Sequence, residues 1–433
     1  MFNGRFCMAF GARFLGKSFM PLSSSGDRFA AFRHPSYTRF FFARFLLSFS
    51  QQIVSVAVGW QMYDQTGSAI YLGLIGLVQF LPSLVLILVT GSVADRHNRR
   101  AIASICSLVS ALCTLALLGM TITGSFSPIP VFVVLLIFGV ERAFMTPAVQ
   151  SLAPNLVPEK DLSNAIAWNS SSWQLAAITG PVLGGLLYGV SASTAYWVAV
   201  IFSALGAILL SMIPKPPQKT TGEAKSWDMI LGGFRYIREE KVVLGAISLD
   251  LFAVLLGGAT ALMPIFARDI LTLGPWGLGL LRSAPGVGAI IMAIFLAAYP
   301  LKHKAGLYMF IGVAIFGLGT IVFGLSTDTE VSIAALAIMG AADMISVYVR
   351  ESLIALWTPD HLRGRVNAVN TVFVGASNEL GEFRAGTMAS VFGAVPAVII
   401  GGIGTLAVAA IWASSFPKLR KIDTLDAPIR EAA

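Results

Sequence analysis

Apolar runs of about twenty residues, the length a helix needs to cross a hydrocarbon layer, recur along this chain with short polar breaks between them. Twelve such runs begin near Phe40, Ile70, Ala101, Ile129, Leu162, Thr194, Val242, Leu278, Leu307, Val331, Val366 and Val395. The pattern predicts an all-α membrane protein with twelve transmembrane helices. One stretch differs: Trp227, Ile230, Leu231 and Phe234 recur at i, i+3, i+4, i+7, with Asp228, Arg235 and Arg238 elsewhere on the wheel. That spacing predicts a short amphipathic helix, lying at the membrane surface or packed beneath the bundle.

Composition sharpens the picture. Of 433 residues 56% are hydrophobic and 12% charged, with a mean hydropathy of +0.78, whereas soluble domains are about one quarter charged. The formal charge of +8 invites a nucleic-acid partner, but its distribution argues for a lipid bilayer instead. Lysines and arginines gather before the first run, in the even-to-odd breaks and in the tail, leaving Arg142, Arg268, Arg282, Arg350 and Arg384 in or near apolar runs. The opposite breaks at 63–69, 124–130 and 326–330 carry none. By the positive-inside rule both termini are expected on the cytoplasmic side of a bacterial inner membrane. No cleavable leader is expected, since the Arg-rich, Phe-rich start lacks an apolar core with a small-residue cleavage site.

The chain also repeats itself. One ungapped shift lays Gly139 on Gly340, Ser151 on Ser352, Leu152 on Leu353, Pro158 on Pro359, Ala167 on Ala368 and Asn169 on Asn370. Two six-helix pseudo-symmetric halves are therefore expected at 38–213 and 242–416, with an extension at 1–37, a linker at 214–241 and a tail at 417–433. Parallel repeats of this kind build a cavity that opens alternately to either side. Pro214-Lys215-Pro216-Pro217 makes the linker too proline-rich for a continuous helix.

Several motifs bear on chemistry. Gly11-Ala12-Arg13-Phe14-Leu15-Gly16-Lys17-Ser18 has the phosphate-loop spacing, but that loop works only between a strand and a helix of a nucleotide-binding domain, for which there is no room. Cys7, Cys106 and Cys113 form no disulfide framework and read as small core residues. With four histidines, no clustered ligands and no nucleophile-base spacing, neither an enzyme nor a metal or other cofactor is expected.

Four groups remain. Gly91, Asp95, Arg96, Arg99 and Arg100 make a charged turn between the second and third runs, with the glycine expected to close one helix and the basic cluster to open the next. Gly180, Pro181, Gly184 and Gly185 lie deep in the fifth run, where glycines admit a close crossing and proline bends the helix. Ionisable groups inside apolar runs mark a cargo path, a proton relay or a buried ion pair. Asp250, with no basic residue within one helical turn, is the first candidate for a proton carrier and Glu141 the second; Arg350 with Glu351, and Glu379 to Arg384, read equally as structural pairs. Gln51, Ser55, Arg142 and Asp343 are candidates for lining a wet cavity.

The Asp95-Arg96-His97-Asn98-Arg99-Arg100 turn, Trp60 to Ser68, Pro154-Asn155-Leu156-Val157-Pro158, Gly233 to Ile237 and Arg363-Gly364-Arg365-Val366-Asn367-Ala368 together resemble one branch of the major facilitator superfamily. That branch includes the enterobactin exporter and macrolide efflux proteins. The resemblance implies the major facilitator fold and a monomeric exporter that exchanges a small amphipathic cargo for protons. An importer or a non-transporting sensor on the same scaffold are the alternatives. It also implies that Asp95, Arg96 and Arg99 lock a cytoplasmic gate and that Gly180 and Pro181 shape the fifth helix. Two departures stand out. Asn98 replaces the usual glycine, which is expected to be tolerated through the left-handed region, and the second-half counterpart, Lys302-His303-Lys304, lacks the aspartate.

Overall fold

The structure is a computed structural model and describes residues 27–215 and 227–426, with backbone alone at 87–88 and 227–231. The phosphate-loop match at 11–18, Cys7, linker residues 216–226 and the end of the tail at 427–433 lie outside the described residues.

Among the described residues are twelve long helices, numbered here in chain order: α1 (Pro35–Thr66), α2 (Ala69–Arg96), α3 (Arg99–Ile122), α4 (Pro128–Leu152), α5 (Glu159–Val190), α6 (Ala192–Ser211), α7 (Lys241–Gly257), α8 (Gly274–Ala298), α9 (Ala305–Leu325), α10 (Thr329–Trp357), α11 (Asp360–Phe392) and α12 (Ala394–Ser415). Eleven of the helical segments are long and apolar enough to cross a membrane. The long helix missing from that set is α11, whose apolar run is interrupted by Glu379, Glu382 and Arg384. Many branched apolar side chains, such as Val85, Ile105, Ile129 and Val190, are exposed. Lipid accommodates such a surface where water would not.

Local chemistry sets the helix ends. Asp328 accepts from the Glu330 and Val331 amides at 2.9 and 3.0 Å and starts α10, and Ser191 accepts from the Thr194 amide at 3.0 Å to start α6. Each satisfies donors that a helix start leaves unpaired.

The chain divides into two compact units. The first runs through Gln65 and resumes at Val78; the second takes Thr66–Leu77 together with the helices from Trp227 onward. Within the first unit α3 packs on α4 and α6, and within the second α9 packs correspondingly on α10 and α12. The repeat pair Gly139 and Gly340 does the same work in each. Gly139 lets α4 approach the Gln79 carbonyl and Pro82 of α2, and Gly340 lets α10 approach Pro285 of α8, with no room for a Cβ at either place. The first core gathers Tyr37, Phe40, Leu152, Val157 and Leu210; the second gathers Val242, Met309, Val313, Val349 and Leu419.

The amphipathic segment is indeed a helix, Trp227–Glu239. Gly233 sits against the Arg365 backbone, and Ile237 is buried with Val243, Ile354 and Val366, so this part of the helix packs beneath the second unit. Phe234, from the expected apolar stripe, stays largely exposed beside Phe373.

Candidate functional site

The charged turn is built differently from the sequence expectation. Gly91 does not close its helix: α2 continues through Ser92, Asp95 and Arg96, because nothing in that stretch interrupts the main-chain ladder. Nor is Asn98 left-handed. It is extended, with φ −64° and ψ 106°, and its side chain accepts from the Arg100 and Ala101 amides at 3.1 and 3.4 Å to start α3. Asparagine is tolerated here because it caps a helix, a job glycine does less well. Asp95 pairs with Arg99 at 3.6 Å. Arg99 also donates to the Ala94 and Ser151 carbonyls, and Arg100 to the Ile213 carbonyl at 2.8 Å, while Arg96 is exposed. These bonds lie within the first unit and tie the turn to the ends of α4 and α6.

In α5, Gly180 and Pro181 are buried. A Cβ on Gly180 would stand 2.6 Å from the Gln52 Cβ, and one on Gly184 would stand 3.0 Å from the Ile53 Cα, so the motif is the close crossing of α5 over α1. Pro181 lacks the amide that would bond back along the helix, which weakens α5 at that crossing. Gln51 and Ser55 share an exposed face of α1. Gln61, further along, is buried and accepts from Tyr196 at 2.9 Å beside Thr121, a packing role.

Glu141 of α4 is 5% exposed, and its Oε2 has no hydrogen-bond partner among the described residues. Adjacent Arg142 points to the exposed face. The nearby Cys106 and Cys113 of α3 are buried free thiols.

The second unit holds the denser cluster. Asp250 of α7, also 5% exposed, is ion-paired to Arg350 of α10. Its own helix gave no sign of this partner, because the partner comes from a neighbouring helix. Arg350 also lies 3.5 Å from Glu351, which is held by Asn370 at 3.1 Å. Asp343, Ser346 and Arg350 follow one another at i, i+3, i+7 on α10, hence on one face. Asp250, Asp343 and Ser346 line a cavity of about 10 Å³, closed on its apolar side by Val313 and Phe316 of α9, which is room for one water molecule. Ser346 Oγ is buried there without a partner among the described residues. Sequence reasoning missed Ser346, although its spacing from Asp343 would have found it. Arg384 donates to the Gly258 carbonyl just beyond α7, a bond that ties α11 to the end of α7.

Twelve long helices in two units of matching packing, with charge buried in the helices themselves, are the scaffold of a secondary membrane transporter. The chain belongs to the transmembrane secretion effector family of the major facilitator superfamily, whose model matches residues 26–431. Among its relatives, the enterobactin exporter EntS of Escherichia coli O1:K1 / APEC is 25% identical over 398 residues, covering 88% of this chain and 89% of that protein. The enterobactin exporter of Shigella boydii serotype 18 gives the same values. Solved structures agree on the fold. A bacterial homolog of the human lysosomal transporter Spinster, inward-facing and occupied, has a TM-score of 0.72 at 15% identity, covering 89% of this chain and 98% of that one. The nucleoside transporter NupG has a TM-score of 0.68 at 15% identity, covering 88% and 99%. The protein is a multi-pass membrane transporter.

Proposed function

We propose that this protein is a proton-coupled exporter of a small amphipathic molecule, a siderophore or a drug, working as a monomer in a bacterial inner membrane with both termini cytoplasmic. The observation that carries the coupling is the charge count of the second unit. Two carboxylates, Asp250 and Asp343, share the surroundings of one guanidinium, Arg350, next to a water-sized cavity, while the third carboxylate near Arg350, Glu351 at 3.5 Å, is more exposed and held by Asn370. In apolar surroundings an uncompensated charge costs several kcal/mol, and a proton arriving at the second carboxylate cancels it. Arg350 then stays with Asp250 while Asp343 takes up and gives back the proton through the cavity. Kinship with enterobactin exporters supports outward transport and an amphipathic cargo. Asp95 and Arg96 at the end of α2 and Arg99 at the start of α3 form the gate. Asp95→Asn should fold and insert normally but export more slowly, and unchanged export at matched expression would remove that assignment.

The test is efflux from cells loaded with a fluorescent amphipathic dye, with and without a protonophore. The native chain should show efflux that collapses with the proton gradient, and Asp343→Asn should abolish it at matched expression. Protonophore-resistant efflux would overturn the coupling.

A further inference from the structure

The turn between α8 and α9 meets the segment that follows α12, and the transport reading uses neither. Aligned at the starts of α3 and α9, Asn98 falls opposite Lys304, His97 opposite His303 and Asp95 opposite Leu301. The second turn therefore keeps the histidine and loses both the capping side chain and the acid. Lys304 stands at the cap position with φ 57° and makes no side-chain cap bond, a conformation that is costly for a residue with a Cβ.

The missing groups arrive from the far end of the chain. Asp423 Oδ1 accepts from the Lys304 amide at 2.8 Å, and its Oδ2 lies 2.9 Å from His303 Nδ1. The main-chain carbonyls of Asp423 and Ile422 accept from the Ala305 and Gly306 amides, each at 3.0 Å. Three consecutive donors at the start of α9, which a helix leaves unsatisfied, are thus taken up by the tail. The bond to the His303 imidazole, together with the Lys304 amide, holds the Asp423 carboxyl below the usual carboxylate range, so it is anionic at neutral pH. An apolar anchor lies one turn earlier. Leu419 is fully buried among Val242, Ala305 and Met309, its carbonyl fills the space a Cβ on Gly306 would need, and a Cβ on Gly245 would stand 2.8 Å from Phe416.

We propose that residues 417–423 are a built-in brace for the α8–α9 turn, and that Asp423 is a positioning residue supplying from the tail what Asp95 and Asn98 supply within the first turn. The buried Leu419 fixes the tail, and the carboxylate then fixes the turn. Asp423 touches no cargo, and the proposal stands whatever the cargo is.

The test places a single thiol in the turn, Lys302→Cys in a chain with Cys7, Cys106 and Cys113 replaced, reconstituted in nanodiscs and followed by its rate of reaction with a polar maleimide. Adding Asp423→Ala should raise that rate several-fold. Asp423→Asn, which keeps the Oδ1 acceptor, should fall between. Lys304→Asn, which gives the turn its own cap as Asn98 does for α3, should return the Asp423→Ala rate to that of the parent, a rescue that general loosening of the fold would not show. Equal rates in the parent and Asp423→Ala, or no rescue by Lys304→Asn, would overturn the brace.

Discussion

In the first unit α4 carries a single buried carboxylate, Glu141, beside an arginine that points outward, whereas in the second unit α10 carries Asp343, Ser346 and Arg350 on one face and holds Asp250 of α7. The same internal repeat that lays Gly139 on Gly340 lays Glu141 on Ala342 and Arg142 on Asp343. The small residues that allow helices to approach have kept their places, while the charges have been redistributed. Packing is therefore the property the two units share, and chemistry is the property that separates them. A buried charge is costly wherever it stands, so its concentration in one unit is the feature on which the proposed coupling rests.

This contrast breaks most violently at Arg350. Arg350→Ala strands Asp250 in an apolar interior, and removing one partner of a buried pair costs about 3–5 kcal/mol. The variant should lose most of its thermal stability in detergent, and Asp250→Asn added to Arg350→Ala should recover much of it. No loss on removing Arg350 would mean that the pair is not buried as described.

The packing that the two units share responds to a matched pair of substitutions. Gly139→Ala and Gly340→Ala each force a methyl group against the backbone or proline of the facing helix, and overpacking of this sort costs about 1–3 kcal/mol. Similar drops in melting temperature in both variants are expected. A large drop in one alone would show that the repeat is not used equivalently.

Glu141→Gln should give the smallest change. One oxygen of Glu141 already lacks a partner, and an amide avoids burying a charge, so stability should stay within about 1 kcal/mol of the native value. Dye efflux should remain sensitive to protonophore. Loss of coupling in this variant would move the proton site to the first unit.

The fold was legible because the cost of exposing main-chain groups to lipid leaves few solutions, and the long apolar runs declare one of them. Even α11, with its interior charges, was found from its apolar start near Val366 and its match to α5 at Asn169 and Asn370. Helix ends were less legible. Gly91 looked like a terminator, yet helix continuation depends on the whole main-chain ladder and not on one residue. Asn98 has the same side chain in a cap as in a left-handed turn, so composition alone did not choose between them. The sites were legible as residues and not as partnerships. Asp250 was singled out by its place in an apolar run with no basic residue within one helical turn, but Arg350 reaches it from another helix, and Asp423 reaches His303 from beyond the last one. Such pairings depend on tertiary packing, which spacing along a single helix does not contain.

The most direct test of the account uses purified protein in liposomes, with dye uptake driven by an imposed pH gradient and, separately, dye exchange at equilibrium without one. The native protein should concentrate dye against its gradient when the pH difference is present, while Asp343→Asn should exchange dye at equilibrium and fail to concentrate it. Gradient-driven accumulation by Asp343→Asn at the native rate would contradict the placement of the proton on Asp343.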